Sequence, residues 1–153
     1  MPVASDATAP DSSLVPRSTT GLFLCGERCA LGDACRMGIL SARLEGDNAV
    51  SFDIECPVDH GRITPNLAHV SWTAGIMSEM CGSFPLYFGV MAFAGTVTTR
   101  FVAPVPVGER LIGRATLDTH ERRKWFVDAT LASSLTGSEL ATASGIAIEM
   151  RGS

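Results

Sequence analysis

The spacing of apolar and polar positions changes period twice along this chain. From Ile39 the pattern is strand-like, with Leu40 to Leu44 and Ala49 to Ile54 separated by Glu45-Gly46-Asp47-Asn48, residues that tolerate a tight turn. This predicts a hairpin. Between Asn66 and Cys81 the period becomes helical: Leu67, Val70, Ala74, Met77 and Cys81 fall on one side, Trp72, Ile76 and Met80 on a second. Thr64 or Asn66 is placed to cap this helix, Pro65 suits a first turn and Gly82 can end it. A helix apolar on nearly all sides is expected to be buried centrally, wrapped by other structure. After Pro85 the strand pattern returns, over roughly 88–103, 109–119, 124–133 and 139–150, broken by the turn-forming segments PVPVGE, THERR and SLTGSE. The expectation is an α+β domain in which an antiparallel sheet wraps around a central helix.

Composition narrows the setting. Residues 1–20 are rich in Ala, Ser, Thr and Pro and read as a flexible leader, leaving 21–153 as a single domain. Hydrophobic residues make up 46%, charged residues 18%, and mean hydropathy is +0.23. That apolar surplus requires cover, which an extensive subunit interface supplies. No apolar run approaches the roughly 20 residues that cross a bilayer, and the amino terminus lacks a basic start followed by an apolar stretch. A cytoplasmic chain with no membrane association is expected. Net charge is −4 and basic residues form no long run, which argues against a nucleic-acid partner. Five cysteines (Cys25, Cys29, Cys35, Cys56, Cys81) without an export signal point to reduced thiols or a metal rather than disulfides. Cys25, Cys29 and Cys35, with Cys56 or His60 as a fourth ligand, do not have the spacing of a standard zinc knuckle. Small buried or loop thiols are the expectation, and no metal.

Specific stretches carry a resemblance. RFVAPVPVGERLIGRATL resembles the hot-dog-fold segment in which an aromatic-x-x-Pro-x-x-x-Gly turn joins two long strands. ERRKWFVDATLASSLTGSELATASGIAIEM is similar to that family's closing hairpin, TGSELATASG matching its turn followed by Ala-Thr-Ala. The resemblance covers about residues 35–150 and is to the hot-dog acyl-CoA thioesterase superfamily, the phenylacetate-degradation and 4-hydroxybenzoyl-CoA thioesterases in particular. It implies a hot-dog fold acting as a homodimer or a dimer of dimers. It also implies an acyl thioester as substrate, with coenzyme A as part of that substrate and no separate cofactor.

The helix start is where the resemblance bears on chemistry. The phenylacetate-type enzymes carry His-Gly-Gly there and an Asp nine residues after the His, often followed by Glu. Here His69-Val70-Ser71 stands in that place, Ser78 falls on the Asp and Glu79 on the Glu. Thioester hydrolysis needs a polarised carbonyl and a carboxylate that attacks or activates water. Unpaired N–H groups at a helix start suit the developing oxyanion. By position that donor is the Val70 N–H. Glu79 is the only acid inside the predicted helix, about 100° round from the family's position, and is the candidate base or nucleophile. A glutamate on an otherwise apolar helix is costly unless paired, protonated or catalytic. His69 either orients substrate or hydrogen-bonds a neighbouring loop. Asn66 either holds the thioester carbonyl or the attacking water, or caps the helix. Asp59 and His60 are reserve acid/base groups, or an ordinary polar loop. Arg122, Arg123 and Lys124 form the one basic cluster, suited to coenzyme A phosphates or to a solvated turn.

Two rivals share the fold. One is a dehydratase, isomerase or pathway-specific enzyme acting on an acyl or polyketide-like substrate. The other is a non-catalytic acyl-binding protein. Fold does not decide between them.

Overall fold

In the computed structural model, the described residues are 38–58, 64 and 66–151. The expected 1–20 leader and Cys25, Cys29, Cys35, Asp59 and His60 lie outside them. Strands β1 (Ile39–Glu45) and β2 (Ala49–Glu55) form the first hairpin, Gly46 taking φ +67° at its turn. Helix α1 (Val70–Gly82) follows, then a single helical turn α2 (Phe84–Tyr87). Strands β3 (Ala92–Phe101), β4 (Arg110–Glu121), β5 (Lys124–Ser133) and β6 (Glu139–Glu149) complete one antiparallel six-stranded sheet. Its order is β1-β2-β4-β5-β6-β3, so β1 and β3 are the edges.

Helix α1 lies across one face of this sheet, packed mainly on β6 and β3 and less on β5. The alternation of the strands explains that seat. Trp125, Val127, Ala129 and Leu131 of β5 are buried beneath it, and β6 presents only Ala141, Ala143, Gly145 and Ala147. Small residues are required here. A Cβ on Gly145 would stand 2.7 Å from the Cys81 Cβ, and one on Gly82 would stand 2.6 Å from the Ala94 Cβ. The Ala-Thr-Ala-Ser-Gly run of β6 is thus the floor on which the helix rests, and the close approach is a packing requirement.

Two sequence expectations are corrected. The strand expected from residue 88 begins only at Ala92, because Phe84-Pro85-Leu86-Tyr87 coils into α2 and Gly89 reverses the chain at φ +81°. Tyr87 then stands edge-on to Phe52, ring centroids 5.2 Å apart, sealing the core. The helix expected from Asn66 begins at Val70. The preceding residues are instead extended: Leu67 bridges Pro106, Ala68 N–H donates to the Val105 carbonyl and Val107 N–H to that of Asn66. Strand-like pairing outcompetes helix there, so neither Thr64 nor Asn66 is the cap.

Burial of α1 is one-sided in the single chain. Trp72, Thr73, Ile76, Met77, Met80 and Cys81 are buried, Val70 and Ser71 are exposed, and Ala74, Gly75, Ser78 and Glu79 are half-covered. The open flank adjoins β3, a ten-residue edge strand with Phe93 and Phe101 exposed.

Candidate functional site

The start of α1 is built by the clamp between residues 66–68 and 105–107, which delivers His69 in an extended conformation (φ −69°, ψ 146°) as the N-cap. Ser71 N–H donates to His69 Nδ1 at 3.0 Å, and Ser71 Oγ lies 2.8 Å from the same nitrogen. The N–H groups of Trp72 and Thr73 turn back to the His69 carbonyl. Of the first-turn amides, Val70 N–H alone meets no acceptor among the described residues.

Beside it opens a cleft of about 380 Å³, lined by Leu67, Ala68, His69, Val70 and Thr73 on one wall and by residues 101–105 on the other. The lining is predominantly apolar. Phe101 and Val102 are about half exposed and the Val70 side chain is 57% exposed, so the cleft mouth is open in the single chain. Cleft and unpaired amide together suit an apolar group attached to an oxygen that develops negative charge.

The sequence candidates are divided between the two ends of α1. His69 and Val70 meet at the cleft. Asn66 is exposed just before it, with its backbone held by Val107. Glu79 lies nine residues after Val70, about 14 Å along the axis at the rise of an α-helix. It is half-buried and accepts a hydrogen bond from Ser83 Oγ at 3.0 Å. Ser78 is half-buried beside it. Within one chain, the amide and the carboxylate cannot reach one thioester.

The basic cluster belongs to the far end as well. Arg122, at φ +56°, and Arg123 form the β4–β5 turn, and Lys124 begins β5. A hollow of about 680 Å³ is lined by Glu121, Arg122, Arg123, Lys124 and Ile148. Arg123 is committed inside the chain, its guanidinium donating to the Glu149 carbonyl at 3.1 and 2.6 Å. Sequence reasoning missed the brace behind this turn. Glu149 Oε1 accepts from Trp125 Nε1 at 2.7 Å and lies 3.1 Å from His120 Nε2, with the His120 ring against Trp125 at 4.3 Å between centroids. Trp125 also packs on Phe84 and Phe88, which ties the basic turn to the C-terminal end of α1.

The described cysteines are not chemical candidates. Burial pushes the Cys56 thiol up to about 11 and the Cys81 thiol to about 12, the Asp128 charge adding to the latter. Among the described residues, no group of three His, Cys, Asp or Glu side chains could hold a metal ion. None of the described helices is long and apolar enough to cross a membrane.

Neither a protein-family model nor a curated protein matches this sequence. Solved structures do match, and they show the architecture to be the hot-dog fold. A Streptococcus mutans UA159 protein bound to acetyl CoA superimposes with a TM-score of 0.63 at 17% identity, covering 71% of this chain and 86% of its own. A hypothetical thioesterase with coenzyme A from Streptococcus pneumoniae TIGR4 gives 0.63 at 11% identity, covering 71% and 84%. The PaaI protein of the E. coli phenylacetic acid degradation operon gives 0.61 at 13% identity, covering 69% and 75%. At such identities the likeness fixes the fold. Chemistry has to come from this chain's own residues.

Proposed function

We propose that this protein hydrolyses a small-molecule acyl thioester, acyl-CoA or acyl-carrier, as a homodimer. One observation carries the reading: Val70 N–H, at the start of α1, has no acceptor among the described residues and adjoins the apolar cleft. The acyl chain occupies the cleft and the carbonyl oxygen takes the Val70 N–H, which stabilises the oxyanion as it forms. Glu79 of the second subunit acts as base or nucleophile. An antiparallel pair of α1 helices brings the start of one to the end of the other and overcomes the 14 Å separation. The same pairing brings the hollow beside Arg122 and Lys124 toward the coenzyme A phosphates. Coenzyme A in two of the similar structures supports that class of substrate. The open flank of α1 and the unpaired β3 edge support the dimer.

The test is hydrolysis across short, long and aromatic acyl-CoAs, followed as released thiol, with sedimentation at micromolar concentration. Turnover by a stable dimer is expected. A stable monomer removes the shared site. Binding without turnover points to an acyl-binding protein, and turnover of an acyl substrate without thiol release to a dehydratase or isomerase.

A further inference from the structure

Ser71 stands where the resemblance to the phenylacetate-type enzymes implies a second glycine, and its contacts fix the tautomer of its neighbour. Ser71 N–H can only donate, and it points at His69 Nδ1 from 3.0 Å. That nitrogen therefore presents a lone pair, and a proton there would collide with the amide hydrogen. Ser71 Oγ, 2.8 Å from the same atom, must then donate as well. With the single Nδ1 lone pair shared between these two donors, the neutral ring carries its proton on Nε2, since one ring nitrogen's partner sets the state of the other. His69 is exposed and lines the cleft, and among the described residues no group meets Nε2. The cleft thus has a second donor beside the Val70 N–H.

We propose that His69 Nε2–H donates to the substrate's carbonyl oxygen alongside Val70 N–H, and that Ser71 is the positioning residue that holds the ring in the donating tautomer. This rests on the thioester reading. The serine offsets the loss of glycine: a branched Val70 narrows the approach to the amide, and the imidazole reaches the same oxygen from the cleft wall. No proton is transferred in this role. The oxyanion gains a hydrogen bond and releases it when the carbonyl re-forms.

The experiment has a spectroscopic arm and a kinetic arm. NMR of the ring nitrogens, with His69→Ser identifying the signals, is expected to show the Nε2–H tautomer at neutral pH. An acetonyl-CoA probe, which keeps a carbonyl but cannot be hydrolysed, is expected to shift the Nε2–H proton. In kinetics, His69→Ser keeps a capping oxygen and is expected to lower kcat about 100-fold, the scale for one oxyanion donor. Ser71→Ala leaves its amide but removes the hydroxyl. The amide still keeps Nδ1 an acceptor, so the tautomer is expected to stay. The ring loses its second hold, so its nitrogen signals broaden and kcat falls about fivefold, the scale of one net hydrogen bond. Ser71→Thr is expected to restore both signals and rate. An Nδ1–H tautomer in the parent protein overturns the proposal even if hydrolysis is rapid. So does a bound probe that leaves Nε2–H unmoved. A locked Nε2–H that shifts with the probe, in a protein without hydrolysis, overturns the thioesterase reading and leaves the lock standing.

Discussion

At the C-terminal end of α1, Met77, Met80 and Cys81 have no solvent exposure, and Cys81 lies against Gly145 where β6 is reduced to alanine and glycine. At its start, Val70 and Ser71 stand in solvent and an amide is left without an acceptor among the described residues. Thirteen residues of one helix thus serve two purposes. The end fixes the helix to the sheet at a distance no larger side chains would allow. The start can then remain open, because its position is set from elsewhere. Stability and chemistry are separated along one axis, and substitutions at the two ends are expected to report on different measurements.

The largest expected effect is at the anchored end. Met80→Ala removes a fully buried side chain and is expected to cost about 2–5 kcal/mol in denaturant unfolding, with kcat per folded molecule close to the parent's. Unchanged stability would mean that the anchor lies elsewhere. Glu79→Gln sits at the same end but is assigned to the partner's chemistry. It keeps size and the Ser83 contact, so kcat is expected to fall by a factor of about 100 or more, the scale of general-base effects, with KM and melting temperature little changed. Full activity would remove Glu79 from the mechanism and make Asp59 and His60 the next candidates. The smallest effect belongs to the open end. Val70→Gly restores space at the amide, at a helix cost of at most about 1 kcal/mol. A rise of a few-fold in kcat/KM is expected, and a fall would show that the valine contacts substrate.

Local signals made most of this fold legible. The turns at Gly46 and Gly137 are declared by glycines that take positive φ, the turn at Arg122 adopts φ +56° without such a residue, and β5 alternates cleanly. The helix start was not legible. Thr64, Pro65 and Asn66 have the chemistry of a cap, and only the long-range bridge from Leu67 to Pro106 delays the helix to Val70. The candidate site divides in the same way. His69 and Val70 were named because a resemblance marked their positions, and the clamp and cleft give them physical standing. The brace of Glu149 on Trp125 and His120 joins residues 24 and 29 positions apart, and no local pattern announces it. Ser71 was passed over as a lost glycine, since its bond to a neighbouring imidazole depends on a backbone angle that sequence does not show.

The tight seat of Cys81 beneath Gly145 gives the protein an internal clock. Burial, with the Asp128 charge added, pushes the Cys81 thiol up to about 12 and keeps it in the unreactive protonated form. No alkylating reagent has room to approach the sulfur while the helix is seated. Modification of Cys81 by iodoacetamide, followed peptide by peptide, therefore times the lifting of α1 from its sheet. Cys56, buried just after the far strand β2, times a separate opening. If the two rates coincide, the domain opens as one cooperative unit. If Cys81 lags, the helix and its floor are the last part of the molecule to come apart.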